Sequence, residues 1–206
     1  MRSLAQHVVP SRTALLVIDI QKDFAAPGFV MAQSGMDIQA AEQAISHSEH
    51  LIAAARKAGI TPWFIRVVTR SETDSRALRR FMIRSGMADE ISICRADTTG
   101  SEYYRVAPQP GDPEVEKLLY SAFSGTDLET HLKGKKIETL ILCGFTTDCC
   151  VDATARDAFH RNFDVFIAQD ACAAFDVKTH RNALAILSTH CATSVSVQDL
   201  ITAWTT

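Results

Sequence analysis

At 206 residues with 47% hydrophobic content, the chain can bury a substantial core, and its length suits one domain, residues 1–206, better than two. Its 21 basic and 24 acidic residues give a formal net charge of −3 with no basic block to follow a phosphate backbone, which argues against a nucleic-acid partner. The first ten residues, MRSLAQHVVP, lack the apolar core of a signal peptide, and no apolar run reaches the roughly 18 residues of a membrane span. A cytoplasmic protein without membrane association is expected. Six irregularly spaced cysteines in a chain of this size read as reduced thiols rather than as staples or a paired C-x-x-C zinc site.

In chain order, Ala14–Ile20 is a near-continuous aliphatic run, as expected of a strand covered on both faces at the centre of a parallel sheet. Asp37 can cap a helix to about Lys57, with Ile45, Leu51, Ile52 and Ala55 near helical spacing and Gly59 ending it. Thr61–Val68 reads as a second strand. The Arg-rich stretch from Thr69 to Arg84 has room for a short helix, and Pro108, Pro110, Gly111 and Pro113 mark an irregular connection. A short strand from Glu114 to Lys117, a helix capped near Thr126 or Asp127, and a strand over Ile137–Cys143 follow. Then come a helix from Cys150 to about His160, a strand over Asp164–Ala168, a helix from about Lys178, a strand over Ala192–Val197 and a last short helix. Alternating strands and helices imply right-handed βαβ units, an α/β fold with a parallel sheet between helical layers.

In such sheets ligands bind beyond the carboxyl ends of the strands, where Asp19, Lys117 and Cys150 all fall. Asp19-Ile-Gln-Lys-Asp-Phe24 contains no glycine and no P-loop occurs elsewhere, which removes the main support for a nucleotide cofactor. Cys150 follows a Thr146-Thr147-Asp148 turn that opens a helix, where free N–H groups and the positive helix end favour a thiolate nucleophilic near neutral pH. A buried structural cysteine fits the position equally. Cys143, inside an aliphatic strand, reads as packing, and Cys149 raises the alternative of a redox pair with Cys150, which adjacent cysteines accommodate poorly. A carboxylate at Asp19 is costly to leave unpaired after an apolar strand, although capping a nearby loop would also explain it.

Three motifs resemble those of the isochorismatase-like cysteine hydrolases: Asp19-Ile-Gln-Lys-Asp-Phe24, Lys117-Leu-Leu-Tyr-Ser-Ala-Phe123, and Gly144-Phe-Thr-Thr-Asp-Cys-Cys-Val-Asp-Ala-Thr154. Order and spacing agree over roughly residues 13 to 200. The resemblance implies a three-layer, Rossmann-like fold with a six-stranded, mostly parallel sheet, and an Asp19, Lys117, Cys150 triad. It selects Cys150 over Cys149 because the family's nucleophile directly precedes valine. In family terms Asp19 is the general base and Lys117 holds it. The resemblance also implies a cis peptide from Phe145 to Thr146, an oxyanion hole from the N–H groups of Thr146 and Cys150, and substrate contacts from Gln21, Phe24 and Phe145.

Members that cleave the vinyl ether of isochorismate typically carry glycine at the position of Cys150, so the retained thiol favours acyl transfer on a small amide, carbamoyl or ureido substrate. Val67-Val-Thr-Arg-Ser-Glu-Thr-Asp74 lacks the histidine of metal-dependent nicotinamidases, so neither a catalytic metal nor a cofactor is expected. Arg95, Arg105, Tyr103 and Tyr104 are candidate contacts for a carboxylate or urea, and surface roles explain them as well. The resemblance further implies a homodimer or homotetramer. Vinyl ether hydrolysis, a non-catalytic binding role and a thiol redox role stay open as alternatives.

Overall fold

The structure, a computed structural model, describes residues 3–88 and 90–205. A short helix α1 (Leu4–His7) and a 3₁₀ turn (Pro10–Arg12) lead into β1 (Thr13–Ile18). Then come α2 (Lys22–Ala25), α3 (Val30–Gln33), α4 (Ile38–Lys57), β2 (Pro62–Val67), α5 (Arg76–Arg84) and a 3₁₀ turn (Thr99–Ser101). The second half runs β3 (Glu114–Lys117), α6 (Leu128–Gly134), β4 (Thr139–Phe145), α7 (Asp152–His160), β5 (Asp164–Ala173), α8 (Val177–His190), β6 (Thr193–Val195) and α9 (Val197–Thr205).

The six strands form one sheet in the order β3-β2-β1-β4-β5-β6, every neighbouring pair parallel. The alternation along β1 divides its side chains between two cores. Leu15 and Val17 join Ile45, Leu51 and Leu200 of α4 and α9, whereas Ala14, Leu16 and Ile18 join Leu128, Ala155 and Leu187 of α6, α7 and α8. Helix α4 is fixed at its start by Asp37, whose carboxylate accepts from the Ala40 N–H at 3.0 Å, and buries Ala41, Ala44, Ile45, Ser48, Leu51, Ile52 and Ala55 along one stripe. Among the described residues no helix is long and apolar enough to cross a membrane.

The expected elements are present with shifted boundaries. The first strand ends at Ile18 instead of Ile20, because Asp19 turns into the left-handed region at φ 51°. Strand β4 starts at Thr139 and runs through Phe145. Strand β5 passes Ala168 and reaches Ala173. Its register against β4 shifts between the Leu142–Ile167 and Gly144–Cys172 pairs, so regular pairing lapses where the sequence pattern ends. The expected helix start at Cys150 is a π-helical turn over Thr147–Val151 that feeds α7. Asp127 is the cap position of α6 and makes no side-chain cap bond; the preceding Thr126 hydroxyl donates to the Ala122 carbonyl at 2.6 Å and accepts from the Leu128 N–H at 3.4 Å.

The chain reverses its direction across the sheet between β1 and β4, which places the switch-point crevice there. Ile18 pairs with Gly144 at this point. Gly144 has φ 114°, and a Cβ on it would lie 1.9 Å from the Ile18 carbonyl oxygen. Only glycine lets the two strand ends close together and hold Asp19 beside the turn that carries Cys150. Gly144→Ala is therefore expected to destabilise the fold by more than about 1 kcal/mol, lowering Tm by at least about 2–4 °C in a thermal melt. A variant melting with the wild type would show that the strand ends are free to part.

Candidate active site

Asp19 leaves β1 with its N–H donated to the Ile65 carbonyl at 2.9 Å, so its backbone is tied to β2 while the left-handed turn redirects its side chain. That side chain is fully buried. Lys117, the last residue of β3, is buried with it, and its Nζ donates to Asp19 Oδ2 at 2.7 Å and to the Leu119 carbonyl at 2.8 Å. Because β2 separates β3 from β1, two strand spacings of about 10 Å lie between the two backbones, and the extended lysine, the 2.7 Å contact and the Asp19 side chain together close that gap.

Cys150, also buried, stands close enough to act on both partners. Asp19 Oδ1 has no hydrogen bond of full geometric quality among the described residues, so the carboxylate keeps an acceptor beside the thiol. Burial pushes the Asp19 carboxyl above the usual carboxylate range, and Lys117 offsets only part of this. For Lys117 burial favours the neutral amine, but the charge of Asp19 and the hydrogen bond to it favour the ammonium, and the net shift is upward. A hydrogen bond with Cys149, burial and the Asp19 charge together push the Cys150 thiol well above its ordinary value, against the pull of Lys117. The hydrogen bond with Cys149, burial and the neighbouring carboxylate thus act on Cys150 against the thiolate that the helix start was expected to favour. Cys149 moves the other way, lowered by its hydrogen bond with Cys150 against the effect of burial.

The remaining motif residues build the frame. Gln21 donates from Nε2 to the carbonyls of Val67 and Ser101, both at 2.8 Å, and accepts from the Val67 N–H at 2.9 Å. Asp23 Oδ2 accepts from the Cys94 N–H at 2.6 Å, and a Cβ at Gly100 would meet that carboxylate at 2.1 Å. These two side chains pin the irregular 94–101 segment to the end of the sheet. In the other two motifs, the Thr154 hydroxyl accepts from the Ala122 N–H at 3.0 Å and the Ser121 hydroxyl donates to Asp157 at 2.5 Å, locking the loop after Lys117 onto α7. The peptide joining Phe145 to Thr146 is cis.

The family signature of the isochorismatase domain matches residues 13–199. The chain belongs to the isochorismatase family. Among curated relatives it is 31% identical to the ureidoacrylate amidohydrolase RutB of Methylobacterium radiotolerans, over 87% of this chain and 74% of that protein. It is 32% identical to the RutB of Variovorax paradoxus, over 82% of this chain and 70% of that protein. Among solved structures, a cysteine hydrolase from Pseudomonas syringae pv. phaseolicola superposes with a TM-score of 0.86 at 27% identity, covering 97% of this chain and 95% of that one. The nicotinamidase PncA of Bacillus subtilis superposes at 0.73 and 28% identity, covering 90% of this chain and 99% of that one.

In this isochorismatase-family chain a cavity of about 450 Å³ opens above Cys150, with Phe24, Val67, Thr146, Cys149 and Tyr120 on its wall. Of the three residues expected to contact substrate, Phe24 lines this space. Gln21 does not, because its amide is fully engaged by backbone, and Phe145 does not, because it points into the core on the α4 side of the sheet. The four candidates from the irregular segment are likewise occupied elsewhere. Arg95 grips Asp74 through two bonds of 2.7 Å, and Arg105 holds Glu42 and Glu49 at 2.5 and 2.6 Å. Tyr104 donates to Glu42 at 2.7 Å and Tyr103 to Glu114 at 3.1 Å. Leu78 and Met82 of α5, and Ile91 in the irregular stretch after it, line the cavity wall without a local signal in the sequence.

The electrostatics give opposite expectations for two variants. Asp19→Asn removes a charge that holds the proton on Cys150, so alkylation of Cys150 by iodoacetamide at pH 8 should quicken. Lys117→Met removes the group that stabilises the thiolate and should slow it. Rates followed by peptide mass spectrometry that move in the reverse sense would contradict this arrangement of charges.

Proposed function

We propose that this isochorismatase-family protein is a cysteine-dependent amidohydrolase that cleaves a small amide, carbamoyl or ureido substrate through a thioester. The observation that carries the reading is the Cys150 thiol at the cavity floor, backed by a sealed Asp19–Lys117 pair whose carboxylate retains an open acceptor. The RutB relatives, named as amidohydrolases, support hydrolysis of an amide-type bond.

In this mechanism the Cys150 Sγ–H proton passes to Asp19 as Sγ bonds to the substrate carbonyl carbon. A carboxyl group raised by burial is a competent acceptor for that proton. The carbonyl π electrons move onto oxygen, and the N–H groups of Thr146 and Cys150 are the donors we assign to that oxyanion. Collapse of the intermediate breaks the C–N bond, and the nitrogen leaves with the proton from Asp19, as ammonia or an amine. Water, giving a proton to Asp19, then attacks the thioester, and the returning proton regenerates the Cys150 thiol and releases the acid. Lys117 stays protonated throughout, keeping the buried carboxylate oriented and its charge balanced while the proton moves.

The test is ammonia release from biuret, N-carbamoyl acids, maleamate, nicotinamide and simple carboxamides by wild type and Cys150→Ser, with and without chelator. We expect turnover by wild type alone, undiminished by chelator, with loss of more than about a thousandfold in the serine variant, of the order seen when a catalytic nucleophile is lost. Equal activity of the two proteins would exclude the thioester route.

A further inference from the structure

The residues around Cys150 also bear on which amide enters. Its cavity is walled by Met31, Leu78, Phe81, Met82, Ile91 and Phe175, and its volume of about 450 Å³ suits a compact organic molecule. Phe81, Met87, Leu118 and Phe175 are partly exposed at its mouth, an apolar rim contiguous with an apolar wall. No lysine, arginine or histidine lines it among the described residues, and the ionisable carboxylate on its wall is Asp148. The arginines of α5 lie off the wall, which takes Leu78, Phe81 and Met82 from that helix.

Three cations of the surrounding motifs and loops are already engaged. Lys117 is behind Cys150 with its ammonium on Asp19 and Leu119, and Arg95 and Arg105 close on their own carboxylates. A substrate carboxylate entering this space would give up its water with no countercharge to replace it, and would face Asp148 as well. A neutral apolar group loses nothing on entry.

We infer that the substrate is an uncharged carboxamide with an apolar acyl portion, and that carboxylate-bearing amides and ureido acids are discriminated against. The inference rests on the amidohydrolase reading for its reaction but on the cavity wall for its selectivity, so two experiments separate them. In the first, kcat/KM for ammonia release is compared for hexanamide and benzamide against the matched half-amides of adipate and terephthalate. Neutral members should be favoured by at least about tenfold; equal or better turnover of the half-amides would overturn the inference.

In the second, Cys150 in the native protein is alkylated with iodoacetamide and with iodoacetate, and the rate ratio is compared with that for glutathione under the same conditions. The protein should favour the neutral reagent at least about tenfold more than glutathione does, and Asp148→Asn should narrow the gap. A ratio matching that of glutathione would overturn the inference. If no amide is hydrolysed, the amidohydrolase reading fails while the alkylation ratio still decides the selectivity.

Discussion

The buried contact of Lys117 with Asp19 is the constraint to which the rest of the site answers. Two opposite charges removed from water lose several kcal/mol of hydration each and recover it only through close, well-aligned contact, and breaking such a pair from one side typically costs about 3–5 kcal/mol. Here the contact is 2.7 Å between two fully buried side chains drawn from β3 and β1. It joins strands that flank β2, so a long lysine and the Asp19 side chain must reach toward each other past it, and the backbone at Asp19 leaves the strand in the left-handed region. Gln21 fastens the far side by bonding Val67 at the end of β2, and Gly144 lets β4 approach close enough to deliver the turn with Cys150.

With that pair in place, the thiol's behaviour follows from its neighbours. Burial and the carboxylate favour the protonated form, whereas Lys117 favours the thiolate, so the two charges of the pair act on Cys150 in opposite directions. In the proposed cycle, the proton moves only when a carbonyl is present to accept the sulfur. The pair is then a proton store with fixed total charge, and the apolar cavity above it supplies the low-dielectric surroundings in which such a transfer is guided by a few fixed dipoles.

Much of the fold was legible because its signals are local. Buried parallel strands read as aliphatic runs, and α4 announces itself through Asp37, its apolar stripe and Gly59. What escaped depended on distant partners: β5 continues past Ala168 because β4 passes beside it, and β1 stops at Ile18 because Asp19 must turn. In the site, Asp19, Lys117 and Cys150 were legible as chemistry at strand ends and as motif members. Gln21 was read as a substrate contact, although its role is to tie strand ends together, since an amide that bonds backbone 46 and 80 residues away looks no different in sequence from one that faces a ligand. For Arg95, Arg105, Tyr103 and Tyr104 the sequence left a ligand contact and a surface role equally open, because their carboxylate partners lie elsewhere in the chain.

The central claim is that Cys150 carries the acyl group while Asp19 carries the proton. Acid-quenching the enzyme within milliseconds of mixing with a turned-over amide, then measuring intact mass and locating the adduct by fragmentation, tests it most directly. A wild-type species heavier by the acyl group is expected, with the added mass on Cys150, and none in Asp19→Asn at the same times. An adduct on Cys149 or elsewhere, or an equal burst of acyl-enzyme without the Asp19 carboxylate, would contradict it.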